Sequence, residues 1–174
     1  MRNSTRLAMV CTVALLLAGS AFGQFSLSTG FAGTTMFDGN FFNIASTTGV
    51  IVNTFDIHLI AGTHTVEVWT VTSGGTHVGV EANAAAWTLV ATATSLVSNG
   101  VLVATPLGQT LNVSIPPGGL RGFYVTVTTG GDVRYQVGTA IGTVAASDAN
   151  IQIHEGTYGT YPFQPFSPQA RRWN

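Results

Sequence analysis

Past residue 23 the chain alternates apolar and polar positions at period two, and glycine, proline and asparagine interrupt the alternation at short intervals. That pattern predicts strands and turns rather than helices. The predicted strands fall at 24–27, 41–45, 50–60, 63–72, 87–94, 109–115, 122–128, 133–137 and 150–154. One helical turn is expected at 82–86, with Asn83 placed to cap the alanines after it. The stretch 158–168, rich in proline and aromatic residues, reads as an irregular closing strap.

The clearest unit is a hairpin through IVNTFDIHLIAGTHTVEVWTV, with Ala61 and Gly62 as a two-residue turn. In the favoured register Ile57 faces Val66 and Phe55 faces Val68, while Asp56 meets Glu67 and His58 meets Thr65 on the opposite face. A slip of one residue would bury Glu67, and an unpaired buried carboxylate costs several kcal/mol. Trp87, Leu89, Ala91 and Ala93 share one face of a later strand, as do Leu111, Val113 and Ile115. Short strands with one apolar face predict an all-β, antiparallel β-sandwich of about eight or nine strands, with a jelly-roll-like order as a variant.

The first 23 residues add a compartment. Arg2 and Arg6 precede an apolar run from Leu7 to Ala18, and small residues at Ala21 and Gly23 stand before Gln24. This is the form of a cleavable secretory signal, so the expected organisation is a signal peptide over 1–23 and one β-sandwich domain over 24–174. The chain is expected to be exported, to the periplasm, the cell surface or the medium. No later apolar run is long enough to span a bilayer, so no membrane span is expected after cleavage. Without the signal, the chain has no cysteine and no lysine, and four arginines stand against seven acids. Disulfides and thiolate metal sites are thereby excluded, and a nucleic acid partner is disfavoured. Charged residues make up 7% of the chain, far below the roughly 25% usual in soluble domains. A surface so poor in charge suits self-association or contact with a neutral polysaccharide.

The phrases GNFF, TVEVW, AAWTLVATAT, IPPGGLRGFYVTVTTG, ANIQIHEG and YPFQPFSPQARRWN together resemble a group of uncharacterised secreted bacterial β-sandwich modules. In that group TVEVYY, AAWTL, IPxGxxxGFYVT and YPFxxxFSPRxWN phrases recur in this order. The resemblance covers most of residues 39–174 and implies export and a β-sandwich. It carries no activity and no site residue.

Candidate chemistry is sparse. The four histidines, His58, His64, His77 and His154, have no metal-ligand spacing and read as isolated surface residues. Asp56 and Glu67 are expected side by side, as an exposed, screened pair, in contact with Arg121 or Arg134, or bridged by calcium; no cofactor is required. Trp69 shares their face and either stacks on a sugar ring or lies beneath the YPFQPF strap. The candidate ligand-binding residues are therefore Trp69, Asp56, Glu67 and His58. Trp87 is expected in the core, and Trp173 is expected to clip the tail or stack on an arginine. No nucleophile motif occurs, so a non-catalytic module of the cell envelope or extracellular matrix is the first expectation. Its rival is a carboxylate-dependent glycoside hydrolase or polysaccharide lyase.

Overall fold

The structure, a computed structural model, describes residues 24–165 and 169–174. The signal over 1–23 and residues 166–168 of the strap lie outside the described residues. Valine, threonine, isoleucine and aromatic residues suit a half-buried pleated surface, and among the described residues they build fourteen strands. In chain order these are β1 (Thr35–Phe37), β2 (Gly39–Ser46), β3 (Val50–Val52), β4 (Asp56–Ile57), β5 (Thr63–Val71), β6 (Trp87–Val97) and β7 (Thr105–Pro106). They continue as β8 (Val113–Ile115), β9 (Leu120–Val127), β10 (Val133–Val137), β11 (Val144–Ser147), β12 (Ile151–Thr160), β13 (Gln164–Pro165) and β14 (Arg171–Trp173). Among the described residues no helix is long and apolar enough to cross a membrane.

The fold is an antiparallel β-sandwich. Its main sheet runs β1-β10-β14-β12-β2-β9-β5-β6, with β11 and β13 added to β12. Two short ladders, β3 with β8 and β4 with β7, supply the facing layer. Between the layers Phe42, Val66, Val68, Phe123 and Val125 of the main sheet meet Ile57, Leu107, Val113 and Ile115 in one buried cluster. Trp173 belongs to it, stacked on Phe42 with ring centroids 5.0 Å apart. The tail is thus clipped by a core contact. Its cationic neighbour Arg171 lies instead over the ring of Tyr158, 4.5 Å from the centroid.

The expected hairpin is not formed. Residues 50–60 break into β3 and β4, which belong to the facing layer, whereas β5 lies in the main sheet between β6 and β9. Residues 58–62 turn the corner between layers, held by the Ile60 N–H on the Asp132 carbonyl and a bridge from Leu59 to Val133. The apolar positions nevertheless face inward as expected, since Ile57, Val66 and Val68 enter the core and Phe55 packs against it; His58, expected on the opposite face, is buried too. Alternation determines which side a residue faces, not which strand lies beside it. Residues 24–27 and 109–112 form no strand, and β1, β7, β11, β13 and β14 are too short for a periodic signature. The turn at Ala84–Ala86 is present, but Asn83 makes no side-chain cap.

The outer face of the main sheet carries a second cluster, of Phe41, Val71, Trp87, Tyr124 and Phe163. Phe41 stacks on Tyr124 with centroids 4.0 Å apart, and Phe163 of the strap closes over Tyr124 and Trp87. Trp87 is therefore core, on the face opposite the interlayer one. The strap is tied down by the Tyr161 N–H, which donates to Asp38 Oδ2 at 3.0 Å.

Candidate functional site

At the margin of the outer cluster β5 presents Glu67 and Trp69 two residues apart, both half-buried. Across β9 they lie beside Thr126 and Tyr124, and across β6 beside Thr92 and Leu89. The indole Nε1–H of Trp69 donates to Glu67 Oε2 at 3.0 Å, which fixes ring and carboxylate relative to each other. Phe163 packs against the indole at 5.0 Å, edge to face, so the strap covers part of Trp69. The Tyr161 hydroxyl reaches Glu67 Oε1 at 3.5 Å. Burial, followed by the negative charge of Glu67, raises the pKa of the Tyr161 phenol, so it stays a neutral donor. The result is an oriented carboxylate between two aromatic rings, bordered by the Thr92 position and open to water.

The other two expected members of the site are elsewhere. Asp56 is exposed on β4, opposite Pro106 in the facing layer, so it does not stand beside Glu67. The Asp56–Glu67 pair needed for bridging calcium, or for hydrolysis by two carboxylates, is not assembled. Nor does Arg121 join them, since its guanidinium donates to the carbonyls of Val71 and Ser114. His58 is fully buried, contrary to the surface position expected for it. Its Nε2 accepts the Leu102 N–H at 2.8 Å, and desolvation, with nearby Arg134, lowers its pKa and keeps the ring neutral.

His64 and His77 are buried as well, and each holds a loop. His77 Nδ1 lies 3.1 Å from Glu81 Oε1, and its backbone N–H donates to Asn43 Oδ1. His64 Nδ1 lies 3.2 Å from Asp132, next to the layer-crossing corner. Glu155, fully buried on β12, pairs with Arg172 at 2.9 Å and accepts the backbone N–H groups of Thr139 and Ala140. His154, half-buried, has a pKa lowered by burial. Among the described residues no group of three or more histidine, cysteine, aspartate or glutamate side chains is placed to hold a metal ion.

A groove of about 1590 Å³ opens between residues 24–31 and the facing layer. Phe42, Ile44, Ile151, Ile153 and Trp173 line it, and among the described residues Asp56 is the one lining residue with an ionisable side chain. The segment 24–31 is itself part of the wall. Leu27 packs against the core, and the Thr29 hydroxyl donates to the Trp173 carbonyl.

The outer patch includes one member that pattern reading missed, Tyr161. Its partner Glu67 is 94 positions away, so only the YPFQPF phrase, read as a strap over Trp69, pointed toward it. No protein-family model and no curated protein matches the chain.

Proposed function

We propose that the protein is an exported, non-catalytic β-sandwich module that contacts neutral polysaccharide through Glu67, Trp69 and Tyr161. The observation that carries this reading is the fixed carboxylate between two aromatic rings on an open sheet face. Aromatic rings offer apolar surface to the C–H face of a sugar, and the free lone pairs of Glu67 accept its hydroxyls. The sparse charge of the chain fits a ligand without charge. Export rests on the basic, apolar and small-residue succession over 1–23. A glycan array of neutral polysaccharides, probed with the full chain and with Trp69→Ala, tests the reading. Retention by at least one neutral glycan, lost in the variant, is expected. Equal retention by both proteins, or none by either, refutes it.

A further inference from the structure

Among the described residues the main sheet ends on β6, which pairs with β5 and has no strand on its other side. Natural sheets guard such an edge with charges, proline, bulges or a covering segment. Here no ionisable side chain occurs from Ala82 to Leu120, and β6 itself has neither charge nor proline. Two bulges do bend the strand, at Val90 and at Thr94 with Ser95, where Ser95 has φ 55°. Between them residues 91–93 keep a regular ladder. On the outer face two apolar side chains stand exposed at the ends of the strand, Leu89 at 43% and Val97 at 67%. They lie four residues to either side of Ala93.

We propose that β6 pairs with β6 of a second copy of this chain, antiparallel about a two-fold axis at Ala93. The axis sets Leu89 of each copy opposite Val97 of the other and Thr92 opposite Thr94, all like with like on one face. Self-pairing places no charge against a charge, and it covers the two apolar side chains that the edge leaves in water. The match of the strand to itself, Leu89 to Val97 and Thr92 to Thr94 with no charge to disfavour the approach, makes a second copy the occupant that the edge favours. The pairing joins two main sheets into one and is separate from the glycan contact of Glu67, Trp69 and Tyr161.

Sedimentation equilibrium of the full chain, from micromolar to millimolar concentration, tests the pairing. Wild type is expected to rise from monomer to twice the monomer mass. Leu89→Lys and Val97→Glu each set a charge against an apolar side chain, so each is expected to weaken association about tenfold or more. An equimolar mixture of the two variants brings lysine opposite glutamate and is expected to recover it. Tyr161→Phe, which alters the glycan patch alone, leaves the mass curve unchanged. A wild-type chain that stays monomeric throughout, variants that associate as wild type does, or a mixture without recovery each overturns the proposal.

Discussion

Arg172 and Glu155 show how single ionisable residues are spent on architecture in this protein. Glu155 is fully buried, and its ion pair with Arg172 joins β12 to β14 while its other oxygen fixes the loop at Thr139 and Ala140. Arg172→Ala leaves a buried carboxylate without its counter-charge, and chemical denaturation is expected to show a loss of about 3 kcal/mol or more. His58 and His154 act through protons. Both have pKa values lowered in the fold, so below the ordinary histidine pKa of about 6.5 the unfolded chain binds more protons than the folded one. Their contribution is intact above that pH and is lost as pH falls through it. Urea midpoints are therefore expected to hold from pH 8 to 7 and to decline toward pH 5, with a shallower decline in His58→Gln. None of this burial was legible in the sequence, because these partners are distant and no local spacing announces them.

Among the elements, β12 illustrates a local rule under tertiary control. A bulge shifts its register against β2 between His154 and Thr157, and Gly156 lies where a Cβ would run into the Phe41 carbonyl. Gly156→Ala must displace the strand carrying Phe41 and Phe42, and a drop of about 1–3 kcal/mol in folding stability is expected by denaturant titration. β5 teaches the reverse lesson. Its alternation placed Val66 and Val68 inside and Glu67 and Trp69 outside, as found, because a half-buried strand imprints its faces on its own sequence. Its neighbours β6 and β9 left no such mark. The Ala61 and Gly62 turn matched a tight hairpin equally well, although it serves as a corner between layers.

In the whole molecule, the buried polar groups fasten loops to the sandwich, and the outer patch and the β6 edge are the two surfaces for which contacts are proposed. Of the four candidate residues, Glu67 and Trp69 stand together on one strand face, which the two-residue period reveals directly. Asp56 and His58 were assigned to that surface only through the hairpin, and they left it when the chain changed layers. The most direct test of a non-catalytic, glycan-contacting module is to incubate the full chain with the neutral polysaccharide that retains it, then recover that polysaccharide and weigh it by mass spectrometry. Retention that disappears in Trp69→Ala, with the recovered glycan at its original mass, is the expected result. Shortened or unsaturated products in the wild-type incubation, or retention that does not depend on Trp69, would contradict it.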